Sequence, residues 1–590
     1  MKSHFALAVL SACALAVLVV LFIASRDAET VARTEALIRE GWRADKIVED
    51  GFHAEWTFRA PMEIALGFAA VLPLFLFFRR RSSSEGEAAT TAFLAVAFLV
   101  GTLLRLDLWW NKSFWGDSYA LKAGLRSHSF LELISGPIGF GQSAPVGFSL
   151  MERIMGELSG WSDHVLIVPL LAAGLAILFL FPGVSRRLGA SRPATAAATI
   201  LLAVSPPLVH YSGEFKQYGF DALFAMLSVL AAMELSEGRR PRSLLGAVLL
   251  LGPLFSHTQF FLLPVLVPML LWATFRPGGA WRRPDGRAWR DLAVFAGGCT
   301  ILTLLSFLHT TRFMPGMMFD FWARAFPPTD NLLDWASWWG VAALRFFRNP
   351  LRLLPVPADV SRWNAVLFLP VPALLLAGLW PRTRRQVWFL LLGIGGAVAL
   401  VLASSLKKWP VLTGSSFFLE SRHLLFLFPF AFLALAVALS RLSNRTPAPV
   451  FALLAVALPV ATHQMATDRI FSWSMPDAVR ELKRRAVDGS PILMGGHHAA
   501  VCIAYEPVWK MENDDRITVF ENDRRDVFAA RLDELALAPG DGFWLLYAQR
   551  GREGALLPDI CREHLPGFHA DFVRRTPAGV LQHFPAPPRP

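Results

Sequence analysis

Phe114-Trp115-Gly116-Asp117-Ser118-Tyr119 opens a polar segment that runs on to Gln142-Ser143-Ala144-Pro145, directly after a strongly apolar run ending near Trp110. A carboxylate just past the end of a membrane helix is costly to leave idle, so Asp117 reads as a site if the flanking runs are spans. They qualify by length, since about 20 apolar residues cross a bilayer. Such runs recur near 5–24, 61–78, 90–109, 164–182, 194–210, 218–235, 243–257, 259–275, 291–308, 364–380, 387–403, 424–440 and 448–463. The expected fold class is a polytopic α-helical membrane protein of about 13 spans. The pair around 250–270 is the weakest, because each member is short and Ser256-His257-Thr258 is the only break between them.

Composition agrees. Of 590 residues 54% are hydrophobic and 17% charged, against about 25% charged in a soluble domain. The net charge of +11 does not point to nucleic acid, because the arginines fall in short clusters between apolar runs. A phosphate-binding face would gather them into one stripe. Basic residues in short loops instead mark the cytoplasmic side. Arg79-Arg80-Arg81, Arg186-Arg187, Arg239-Arg240, Arg282-Arg283, Arg384-Arg385 and Arg441 through Arg445 all fall on one side of the thirteen-span arrangement. The N-terminus is then cytoplasmic, and the loops 111–163 and 309–362 and the tail beyond about 464 lie outside. Lys2 and the apolar run to Ala24 also fit a signal peptide, but the run is long and lacks a small-x-small cleavage site, which favours an uncleaved anchor.

The tail changes character. Ser474, Pro476 and Asp477 start a helix that runs to about Val487. Strand-like runs follow at Pro491–Met494, Ile517–Phe520 and Phe543–Tyr547, with a closing hairpin around Thr576-Pro577-Ala578-Gly579. This predicts a C-terminal extracytoplasmic α/β domain over 464–590, after an N-terminal two-span extension (1–87) and a membrane domain (88–463). Cys502 and Cys561 lie in the tail, in a compartment that permits a disulfide, and read equally as buried thiols.

Taken in order, Leu103-Leu104-Arg105-Leu106, Trp115-Gly116-Asp117, Gln142-Ser143-Ala144-Pro145, Glu152-Arg153, Ser205-Pro206-Pro207 and Tyr211-Ser212-Gly213-Glu214-Phe215-Lys216-Gln217-Tyr218 resemble the GT-C superfamily of integral-membrane glycosyltransferases. The likeness is to the bacterial relatives of protein mannosyltransferases and of the aminoarabinose and Rgt-type lipopolysaccharide transferases. It covers roughly 90–440 and is strongest from 100 to 240. It implies a sugar donor carried on polyprenyl phosphate, a glycan, lipid or protein acceptor, and reaction at the outer side of the bacterial inner membrane. The family has a second acid after the Asp; here Ser118 takes that place, which weakens a two-carboxylate site for a divalent metal.

The residues support that chemistry in their own right. Glycosyl transfer needs a base for the acceptor proton and cations for the departing phosphate. Asp117 is the candidate base or metal ligand; the competing reading is that it caps the helix that follows. Lys216 suits the carrier phosphate, and Glu214 suits orientation, acceptor hydroxyls or a metal. The alternative is a local Glu–Lys pair with Tyr218 and Tyr211 as interfacial aromatics. Gln142 begins the approach to an amphipathic helix lying on the membrane. In that helix Met151, Ile154, Met155 and Leu158 form the apolar stripe, and Glu152, Arg153 and Glu157 the wet side. Among further cations (Arg312, Arg345, Arg348, Arg352, Lys407, Lys408), Arg422 in Glu420-Ser421-Arg422-His423 is the best second phosphate contact. Lys407-Lys408 also suits anionic head groups of membrane lipids. His257 reads as structural, and Gly495-Gly496-His497-His498 lacks spaced metal ligands. The rival classes are a transporter or flippase for lipid-linked sugars, which usually shows internal repeats and mid-membrane charges, and a non-catalytic assembly protein.

Overall fold

The computed structural model describes residues 83–111, 114, 116–139, 142–276, 283–313, 325–351, 380–411, 422–443, 479, 482–486, 489–495, 516–520, 542–547, 572–576 and 579–585. The expected spans near 5–24, 61–78 and 448–463, all but the end of 364–380, and Trp115, Glu420, Ser421, His497, His498, Cys13, Cys502 and Cys561 lie outside the described residues.

Helix α1 (Ser83–Asn111) leads to the short helices α2 (Gly116–Ser127) and α3 (Phe130–Ser135), then to α4 (Val146–Ser159) and the long α5 (Asp163–Arg187). The run expected as one span at 194–210 is broken. Helix α6 (Arg192–Ala203) stops, and α7 (Pro206–His210) restarts after the extended Ser205. Pro206 and Pro207 explain the break: a proline disfavours helical backbone in the residue before it, but suits the first turn of a new helix. Helix α8 (Tyr218–Ser236) follows, then α9 (Arg242–Phe255, with a π turn over Gly246–Leu251) and α10 (Gln259–Phe275). Helix α11 joins Gly286–Leu292 to Gly298–Phe313 through a π turn. Three further helices are α12 (Leu332–Leu351), α13 (Arg384–Ser405) and α14 (Phe428–Ser443), the last preceded by a 3-10 turn over Arg422–Leu427.

Among the described residues five helices are long and apolar enough to cross a membrane, at Asp163–Arg187, Tyr218–Ser236, Gly286–Thr310, Arg384–Ser405 and Arg422–Arg441. Helix α8 is central, packed on α5, α10, α13 and the 3-10 turn. Helix α6 is buried throughout Ala194–Ala203 between α1 and α14. Its alanines let backbones approach closely, the usual means of helix association where lipid removes the hydrophobic drive.

The two ends of this bundle differ. At one end Arg187 at the close of α5, Glu234 on α8, Glu237, Arg239 and Arg385 at the start of α13 form a chain of ion pairs. That end gathers three of the basic loops read from the sequence. At the other end α1 finishes and α5, α8 and α14 begin, and the site lies there.

The tail contributes a mixed five-stranded sheet, β1 (Ile492–Gly495), β2 (Ile517–Phe520), β3 (Phe543–Tyr547), β4 (Phe572–Thr576) and β5 (Gly579–Phe584), in the order β2-β1-β3-β5-β4. Strands β2, β1 and β3 run parallel, while β5 is antiparallel to β3 and β4, with Thr576 facing Gly579. Ile492-Leu493-Met494 and Phe543-Trp544-Leu545-Leu546 are buried at every position, as strands covered on both faces require. Ile492, Met494, Trp544 and Leu546 share one apolar core with Tyr119, Leu121 and Leu125 of α2 and Leu166 of α5.

Candidate active site

The loop between α7 and α8 is built to present alternate side chains. Phe215 is fully buried, stacked on Phe114 at 5.1 Å and packed on Phe148 at 6.3 Å. Glu214 and Lys216 on either side therefore have a fixed backbone between them. The loop's entry is held by Arg105 of α1, whose Nη1 donates to Gly101 O at 2.8 Å and to Ala203 O at 3.0 Å. The last carbonyls of a helix lack partners within it, and a buried arginine at the end of α6 satisfies one of them. Gly174 on α5 sets the remaining clearance: a Cβ there would lie 2.7 Å from Ser212 Cβ and nearer still to Ser212 Oγ.

Onto this loop the structure brings all six residues singled out from the sequence. Asp117 is the second residue of α2, inside the first turn, where the helix dipole favours its charge. Its Oδ2 accepts from Arg422 Nη1 at 3.1 Å, across 305 residues of chain. Ser118 donates to Glu214 Oε1 and to Phe215 O at 3.3 Å, so the serine that follows Asp117 ties α2 to the loop. Lys216 donates to Gln142 Oε1 and feels the charges of Asp117, Arg422 and Glu214. Tyr218 feels Arg422, Asp117 and Glu214 as well, and meets Tyr211 edge-on at 5.2 Å. His210 Nε2 is 3.8 Å from Glu214 Oε2. Two carboxylates and two cations thus share one polar cluster, three of them nearly enclosed: Glu214 (4%), Lys216 (6%) and Arg422 (6%). Burial pushes the Lys216 ammonium down to about 8, partly offset by Asp117.

Several sequence expectations change. Glu152 does not sit on the wet side of α4: it is wholly buried, with Phe148, Ser149 and Gly156 on the inner face, while Ile154 and Leu158 are exposed. Ile154 and Leu158 stay outward as a lipid-facing stripe would, but the inner face of the helix packs on α2, α3, α5 and α9, and Glu152 falls on that face rather than toward water. Burial raises the Glu152 carboxyl well above its ordinary range. Lys407 and Lys408 are exposed after α13, and Arg312 is exposed at the end of α11, apart from the cluster. Side chains of Arg345 and Arg348 on α12, and Arg352, lie outside the described residues. His257 is buried against Trp409 at 6.2 Å, with Thr310 Oγ1 at 3.0 Å, as a structural histidine would be. His423 and Ser118 were legible only as neighbours of Arg422 and Asp117.

Among the described residues no three His, Cys, Asp or Glu side chains converge, and Asp117 is held by a cation.

Residues 143–304 match the family described as dolichyl-phosphate-mannose-protein mannosyltransferase. The match takes in Glu214, Lys216 and Tyr218, and leaves Asp117 before it and Arg422 after it. The fold resembles the crystal structure of ArnT from Cupriavidus metallidurans bound to undecaprenyl phosphate, with a TM-score of 0.50 and 13% identity over 84% of this chain and 97% of that one. The apo state of the same protein gives 0.49 and 14%, over 85% and 98%. The arabinofuranosyltransferase AftD from Mycobacteria gives 0.37 and 16%, over 84% of this chain and 41% of that chain. Among curated proteins none matches the chain. The matched segment and the likeness in fold agree with the resemblance read from the sequence.

Proposed function

We propose that the protein moves a sugar from a polyprenyl-phosphate carrier to an acceptor hydroxyl, at the end of the bundle where α1 finishes. The basic loops gathered at the opposite end support reading this as the extracytoplasmic face. The observation that carries the reading is the Asp117–Arg422 pair at 3.1 Å beside Lys216 and Glu214. That ArnT binds undecaprenyl phosphate in a similar fold supports a lipid phosphate as the donor's carrier.

In this reading the acceptor oxygen attacks the anomeric carbon as the bond from that carbon to the phosphate oxygen breaks. Asp117 takes the acceptor's proton, and the polyprenyl phosphate leaves with the bonding electrons. Arg422 and Lys216 stabilise the charge that grows on the departing phosphate. The arriving phosphate competes with Asp117 for Arg422, so donor binding loosens the ion pair and frees the carboxylate to act as base. Glu214, tied to Ser118, holds the loop and balances Lys216.

Purified protein in nanodiscs, given radiolabelled polyprenyl-phosphate sugars and an envelope extract as acceptor, is expected to release free lipid phosphate from one donor. Donor movement across a sealed bilayer without release would instead establish the transporter.

A further inference from the structure

Arg422 is gripped from two sides. Besides Nη1 to Asp117, its Nε donates to Nε2 of the adjacent His423 at 3.1 Å. Adjacent side chains on a helical turn point apart, so this contact between sequence neighbours is a particular arrangement. A guanidinium only donates, which obliges His423 Nε2 to offer a lone pair. The ring is then neutral and carries its proton on Nδ1.

The surroundings fix that ring. Trp409 meets it edge-on at 5.5 Å and Tyr218 lies 6.0 Å away. Trp409 is itself wedged against Phe261 at 5.3 Å and His257 at 6.2 Å. His257 is set in the opposite tautomer. Thr310 Oγ1 donates to Ser306 O at 2.9 Å, so its oxygen accepts from His257 Nε2 at 3.0 Å. Trp409 thus separates two buried histidines whose protons are assigned by different partners.

We propose that His423 is a positioning residue for Arg422: as the Nδ1–H tautomer it holds the guanidinium by Nε, keeping the Nη edge turned toward Asp117 and the substrate phosphate. When the phosphate draws Arg422 from Asp117, His423 is the anchor that remains. The consequence for turnover rests on the transferase reading; the tautomer does not.

The test therefore has two arms. In the first, full-length protein labelled with 15N-histidine is placed in lipid nanodiscs at pH 7, and the His423 signals are identified by their loss in His423→Gln. The expected result is a protonated Nδ1 and an unprotonated Nε2. A proton on Nε2, or a doubly protonated ring, overturns the proposal whatever reaction the enzyme catalyses. In the second, kcat/KM for the polyprenyl-phosphate sugar is compared for His423→Gln, whose amide oxygen can accept from Nε, and His423→Leu, which cannot. A charge-assisted hydrogen bond corresponds to about tenfold or more, so Leu is expected to lose at least about tenfold while Gln stays within about threefold. Equal losses in both variants, with equal thermal stability, would reduce His423 to a packing role and overturn the proposal.

Discussion

Raising the pH should silence the enzyme through one lysine. Lys216 is enclosed, with its ammonium brought down to about 8 by burial. A depressed lysine keeps its charge below that value and loses it above. At pH 7 about nine-tenths of the molecules carry the charge, and at pH 9 about one-tenth. The phosphodiester of a polyprenyl-phosphate sugar carries one charge throughout this range, so the fall belongs to the enzyme. The expected result is an alkaline limb in kcat/KM for the donor, centred near pH 8 and worth about tenfold between pH 7 and 9. The control is Lys216→Arg, since a guanidinium stays charged across the interval; whatever its absolute rate, its profile should be flat there. Lys216→Met should be flat as well, and lower at pH 7 by the roughly 10- to 150-fold that a hydrogen bond to a charged group supplies, about 1.5–3 kcal/mol. The assay is initial-rate release of lipid phosphate from radiolabelled donor in nanodiscs over pH 6–10. An unchanged limb in Lys216→Arg, or a wild-type profile flat from pH 7 to 9.5, would refute the assignment of charge to Lys216.

Two other substitutions probe the scaffold. Glu152 holds a proton in the folded protein that it would release when unfolded, so its contribution to stability is full below the unfolded value and lost as pH rises toward the folded one. Glu152→Gln should therefore raise the melting temperature, more at pH 8 than at pH 5; an equal or negative shift at pH 8 would count against a buried neutral acid. Gly174→Ala drives a methyl into Ser212 beneath the loop that carries Glu214 and Lys216. Overpacking of this kind costs about 1–3 kcal/mol, so donor turnover should drop with membrane insertion intact, and wild-type turnover would show that the loop tolerates the shift.

Much of this was legible because membrane insertion imposes simple lengths. The runs at 164–182, 218–235, 387–403 and 424–440 fall on α5, α8, α13 and the Arg422–Ser443 segment. Counting apolar residues across Pro206 and Pro207 hid the break that makes the site loop, although the prolines themselves announce it. Helix α12 went unread because Asp334, Arg345 and Arg348 break up its apolar run in the sequence. Glu152 was misplaced because a two-faced reading, apolar toward lipid and polar toward water, leaves out the face that packs on neighbouring helices. At the site, Asp117, Gln142, Glu214, Lys216 and Tyr218 were singled out from residue type at the ends of spans together with the family resemblance, and the structure brings them side by side. Arg422 needed one more inference, that a late span opens onto the same end of the bundle. The bond from Ser118 to Glu214 and the grip of His423 on Arg422 depend on three-dimensional contacts that no spacing encodes.

The proposed transfer depends on Asp117 taking the acceptor's proton. Wild type and Asp117→Asn, each in nanodiscs with the same radiolabelled donor and acceptor extract, should both bind donor, the variant at least as tightly, because Arg422 and Lys216 remain and the carboxylate that competes with the phosphate for Arg422 is gone. A positioned base contributes about 100- to 10,000-fold, so the variant should lose transfer by at least about 100-fold while keeping its fold and its place in the membrane. Transfer by Asp117→Asn at the wild-type rate would show that Asp117 is not the base.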